Sequence, residues 1–161
     1  MDTEAIVARL KDRFGDAVGE VVNAQFDPQI IVRAEKLGDV AQFLRDDPNL
    51  LCDSLMCLTA LDLPPVAKAE KKPKKPEGAP ETKAEEPPAE KAEPEGAPPP
   101  YQVAAIYHLY SMKHRHRLTL RVVMEREGAH VPSVAAIWPA ANWHEREAYD
   151  LVGIEIGRAH V

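Results

Sequence analysis

The chain has 161 residues, 29% of them charged, and a formal net charge of -6. That length suits one domain, and the acidic balance argues against a nucleic-acid partner, whose phosphates need a basic surface. No apolar run approaches the length of a bilayer-spanning helix. The opening MDTEAIVARLKDRFGD lacks the apolar core of a secretory signal. The expectation is a protein kept in the cytoplasm that meets a membrane only indirectly, through partners.

In chain order, residues 2–14 carry Ile6, Val7, Leu10 and Phe14 at helical spacing and are stopped by Gly15. EVVNAQF and QIIVRAE read as short strands joined around Asp27-Pro28. In the second, Ile30, Val32 and Ala34 share a face opposite Arg33 and Glu35. GDVAQFLRDDP predicts a helix with Asp39 as N-cap, an apolar stripe of Val40, Phe43 and Leu44, and a stop before Pro48. LCDSLMCLTALDL and YQVAAIYHLYS are apolar on both faces and predict buried strands. HRLTLRVVME alternates, with Leu118, Leu120, Val122 and Met124 set against Thr119, Arg121 and Glu125.

Between the last two apolar segments, residues 64–100 hold 11 of the 15 prolines and no aromatic residue. Such a stretch buries too little apolar surface to offset its ordering entropy, so it is expected to be disordered. Its lysine-rich KKPKK also admits a tethering role on an anionic surface. The segments flanking it read as neighbouring strands, so it interrupts one domain instead of separating two. The domain plan is therefore 1–63 and 101–154 as two parts of one domain, with 64–100 inserted between them. The fold class is α+β: a two-layer α/β sandwich running helix, two strands, helix, three strands, helix. One face of a mixed five-stranded sheet is covered by the helices.

The two cysteines, Cys52 and Cys57, make no disulfide framework and read as small buried hydrophobes. His114 and His116 lie among Lys113, Arg115 and Arg117, a cationic setting that discourages a divalent metal. The densest chemistry is WPAANWHEREAYDLVGI, residues 138–154. His144-Glu145 resembles the start of the zinc pattern H-E-x-x-H, but the second histidine is Ala148. Pro139 precedes a helix expected over Trp143 to Val152, with Asn142 and Glu145 as a capping box and Gly153 as the stop. Arg146 and Asp150 form an i, i+4 pair of opposite sign. No catalytic, cofactor-binding or metal residue is assigned.

The same segment resembles the signature of the C subunit of proton-pumping NADH:quinone oxidoreductase, respiratory complex I. There a Trp-Pro-x-Ala-x-Trp segment leads into Glu-Arg-Glu-x-x-Asp and Gly-Ile. The matching residues are Trp138, Pro139, Ala141, Trp143, Glu145, Arg146, Glu147, Asp150, Gly153 and Ile154. YHLYSMKHRHRLTLRV and LTALDLP are similar to two further family segments. The resemblance implies a non-catalytic subunit of the peripheral arm, on the cytoplasmic side of a bacterial inner membrane. It implies docking against the subunit that forms the quinone site and the subunit that holds the terminal cluster. It also implies that FMN, iron–sulfur clusters and quinone belong to partner subunits. Trp138 and Trp143 are then expected as interface anchors, and Glu145, Arg146, Glu147 and Asp150 as packing and partner-pairing charges. A homologous subunit of a membrane-bound hydrogenase, or of another ferredoxin- or formate-linked complex, is the alternative. Residues 155–161, EIGRAHV, are expected to be non-native. The codons GAG ATC GGA AGA GCA CAC GTC would encode them, and all but the first base of that stretch is a common sequencing-library adapter.

Overall fold

The computed structural model describes residues 3–23, 28–64 and 101–157. The expected turn at Asp27, the inserted residues 65–100 and residues 158–161 lie outside these. Helix α1 spans Thr3–Phe14, and its buried Ile6, Val7 and Leu10 form the stripe that the spacing predicts. Gly15, at φ +53°, ends it in the left-handed region that favours glycine. Strand β1 (Val18–Asn23) and β2 (Pro28–Val32) pair antiparallel, with an irregularity between Val18 and Val21.

Helix α2 spans Leu37–Asp46 and buries Leu37, Val40, Ala41 and Leu44. Asp39 does not cap it. A 3-10 turn over Ala34–Lys36 feeds directly into the helix, so Asp39 falls in the first turn and accepts a hydrogen bond from Lys36 Nζ at 3.1 Å. Strands β3 (Ser54–Leu63), β4 (Gln102–Tyr110) and β5 (Arg117–Glu125) follow. They complete a five-stranded mixed sheet in the order β1-β2-β5-β4-β3. Only β2 and β5 are parallel within it; such a pair needs a long crossover, here supplied by α2, β3 and β4.

The register places Val103, Ala105, Tyr107 and Leu109 of β4 opposite Met124, Val122, Leu120 and Leu118 of β5. These residues face the three helices in one apolar cluster. The other face of β4 is also covered, with Ala104 and Ile106 buried, which explains its apolar character on both sides. The α+β two-layer arrangement and the order of its long elements are those expected. Two short strands are additional: β6 (His130–Pro132) and β7 (Glu155–Gly157) pair in parallel beside the last helix, α3 (Ala141–Val152). Strand β7 lies within the segment expected to be a foreign tail. No helix among the described residues is long and apolar enough to cross a membrane.

Candidate subunit interface

The signature segment divides into an inward half and an outward half. The chain enters α3 through a tight turn: Trp138 N–H donates to the Val134 carbonyl at 2.9 Å, and Ala141 N–H donates to the Trp138 carbonyl at 2.9 Å. The helix therefore begins at Ala141, earlier than the capping box predicts. Asn142 lies inside it and no side chain caps the start. Its end is as expected: Gly153, at φ +80°, donates its N–H to the Tyr149 carbonyl at 2.9 Å.

At about 100° per residue, Ala141, Glu145, Ala148 and Val152 fall within a narrow arc. This is the face that packs on the core. Glu145 is 1% exposed. Its carboxylate accepts from Val134 N–H and from Ser133 Oγ, both at 2.8 Å. Trp138 is 3% exposed, and its indole N–H donates to the Cys52 carbonyl at 2.9 Å. Cys52 N–H in turn donates to the Leu44 carbonyl at 2.9 Å. One indole therefore ties the entry of α3 to the end of α2 and the lead into β3.

These contacts correct two expectations. Trp138 is an anchor of the chain's own core and offers no surface to a partner. Glu145 spends both oxygens on the loop before α3, so it is a packing charge and not a partner-pairing one. The remaining signature side chains point outward. Trp143 is 73% exposed, and Arg146, Glu147 and Asp150 are exposed with it. The Arg146 guanidinium stacks over the Trp143 ring at 5.3 Å, and no Arg146–Asp150 ion pair is present among the described residues. Pro139 is exposed at the helix entry. Leu151, 75% exposed, joins this face and was missed. Eight residues beyond Trp143, it lies about 80° round the helix from it, on the flank of the outward face, a signal that a helical projection of the sequence contains.

His144 Nδ1 and Glu147 Oε2 stand 3.8 Å apart, beyond hydrogen-bonding reach. Among the described residues no three His, Cys, Asp or Glu side chains converge as metal ligands. His114 and His116 lie in the turn before β5, their rings stacked at 6.0 Å. His114 is exposed and within 3.0 Å of the Pro48 carbonyl. His116 Nε2 lies 3.9 Å from Cys52 Sγ, a proximity that 64 positions of sequence separation conceal. Burial is the largest cause holding the His116 imidazole below its ordinary value, with His114 among the smaller ones. Burial, then the charge of Asp53, pushes the Cys52 thiol up to about 12, so the sulfur is an inert thiol.

The family description of the respiratory-chain NADH dehydrogenase 30 kDa subunit matches residues 30–159. The chain belongs to this family. The C subunit of the NADH-quinone oxidoreductase of Roseiflexus castenholzii is 32% identical over 154 residues, which are 96% of this chain and 70% of that protein. Its counterpart in Coxiella burnetii is 32% identical over 157 residues, 95% of this chain and 66% of that protein. In three dimensions, a trypsin-resistant fragment of Nqo5 superposes with a TM-score of 0.62 at 17% identity. It covers 100% of this chain and 99% of its own. A chain of an archaeal membrane-bound sulfane sulfur reductase superposes with a TM-score of 0.60 at 18% identity, covering 98% of this chain and 71% of its own. At these identities the two structures establish the fold alone. As a member of the 30 kDa subunit family, the chain is a subunit of an NADH-quinone oxidoreductase, and its partners are other subunits of that complex.

Proposed function

We propose that this chain is a non-catalytic, docking subunit of the peripheral arm of NADH:quinone oxidoreductase. It holds the quinone-site and terminal-cluster subunits in place on the cytoplasmic side of the bacterial inner membrane. In this reading FMN, the iron–sulfur clusters and quinone sit in partner subunits. The chain thus supports NADH-to-quinone electron transfer, and the proton translocation coupled to it, through assembly. One observation carries the proposal: α3 completes its inner face within the chain, yet leaves Trp143 with Arg146 stacked on it, and Leu151, on its outer face. A large aromatic and an arginine left together at a surface have the composition of an interface hot spot.

The test is affinity purification of the full chain from membranes, with identification of the accompanying subunits and a quinone-reduction assay. Arg146→Ala is expected to lower recovery of partner subunits roughly tenfold or more while leaving the chain folded, since the side chain is exposed. Normal assembly and activity of that variant would count against Arg146, and absence of any oxidoreductase subunit would overturn the whole reading.

The rival reading is a homologous subunit of a membrane-bound hydrogenase or another ferredoxin- or formate-linked complex, and the likeness to a sulfane sulfur reductase chain, at 18% identity, supports it in fold alone. The relatives from NADH-quinone oxidoreductases, at 32% identity, weigh for the first. Recovery of an NADH-binding flavoprotein supports that reading, and recovery of a nickel-site subunit supports the second. For residues 155–161 the adapter origin is tested by resequencing the locus. The same seven codons in intact genomic DNA refute it.

A further inference from the structure

We propose that the outer edge of β3, beside the exposed flank of α3, receives an extended segment of a neighbouring subunit as an added strand. The proposal rests on the docking role above and specifies one place and one mode of contact.

Among the described residues, strand β3 ends the sheet and pairs only with β4. In an edge strand alternate residues turn their N–H and C=O groups outward, where they form a ready template for another strand. Natural edges are commonly blunted by lysine, proline, bulges or brevity. Over ten residues, SLMCLTALDL contains neither lysine nor proline. Its one irregularity, between Leu55 and Cys57, leaves Cys57–Leu63 in continuous register with β4. The opposite edge differs: β1 has six residues and an irregularity near its middle.

Next to this edge lies a groove of about 60 Å³ between β3 and α3. Leu58, Thr59 and Ala60 line it from the strand, with Glu147, Ala148 and Leu151 from the helix. A strand laid along β3 would run beside Leu151, an otherwise solvated leucine, and cover it. Glu147 is the one charged side chain among the described lining residues, and its side chain is 64% exposed. The occupant that matches is an extended segment with an apolar side chain for Leu151 and a lysine or arginine for Glu147.

Two other occupants match less well. A second copy docked edge to edge would present SLMCLTALDL, which has no cation for Glu147. The inserted residues 65–100 are dense in proline, which cannot donate to a strand ladder.

Amide hydrogen exchange over residues 57–63 tests the proposal, comparing the isolated full chain with the chain in the complex purified from membranes. Outward-facing amides are expected to exchange at least about tenfold more slowly in the complex. Leu151→Glu, a change at an exposed position, should reduce both that protection and the recovery of partners. Met112→Glu, at another strongly exposed position but in the turn before β5, should leave both unchanged. Protection in the isolated chain that grows with concentration indicates a second copy and overturns the proposal. Protection that vanishes when residues 65–100 are deleted indicates the insertion and overturns it as well. If partners are recovered while these amides exchange as fast as in the isolated chain, strand addition alone is wrong. If no oxidoreductase subunit is recovered, the docking role fails with it.

Discussion

Glu145 shows how one side chain of a family signature can spend its charge within its own chain. Its oxygens take up the Val134 N–H, which the turn before α3 would otherwise bury without an acceptor, and the half-buried Ser133 hydroxyl. Glu145→Ala strands both donors and is expected to cost about 2–3 kcal/mol in urea unfolding, with a smaller loss for Glu145→Gln, which keeps one acceptor oxygen. Tyr107 presents the opposite case. Its hydroxyl is buried with no hydrogen-bond partner among the described residues, and burial, then the Glu145 charge, raises its pKa well above the ordinary 10.0. Tyr107→Phe should therefore be neutral or stabilising in the same measurement. Cys52 and Tyr107 also make the fold sensitive to alkali. Each holds its proton more tightly folded than unfolded, so the unfolded chain binds fewer protons once pH passes the ordinary value. The Cys52 contribution is fully present below pH 9.0 and is lost as pH rises through about 12. The urea midpoint should fall across that window, and Cys52→Ala should flatten the fall.

Among the elements, the long ones were legible because each carries its own period. Buried Ile6, Val7 and Leu10 in α1, and Leu118, Leu120 and Val122 in β5, are where their spacing places them. Helix ends were read less well. Asp39 and Asn142 are good capping residues in the right neighbourhoods, but a 3-10 turn before α2 and the Trp138 turn before α3 start each helix before its cap is reached. Gly153 was legible because its requirement is local: a positive φ that a Cβ resists. Gly153→Ala is expected to cost about 1 kcal/mol and to fray the last turn of α3, measurable by unfolding and by exchange of the Tyr149-bonded amide. Strands β6 and β7 were not legible. Three residues have no period, and these strands exist only because α3 brings two distant segments side by side.

For the molecule as a whole, β3 and β4 are register partners up to Leu63 and Gln102, so the insertion joins two positions already held side by side. The composition of the insertion predicts disorder, so replacing residues 65–100 by a short Asn-Gly turn should leave the fold intact. It should raise stability by about 2 kcal/mol through reduced loop-closure entropy, checked by urea unfolding of both chains. The sequence by itself determined the α+β class, the order of the long elements and the family, because periodicity and a dense local motif survive without three-dimensional context. It did not determine which signature residues face out. Trp138 and Trp143 look alike in sequence, yet one is pinned to Cys52 across 86 positions and the other lies open beside Arg146. Only tertiary structure decides that, because burial depends on what packs against a side chain, and the packing partners here are distant in the chain.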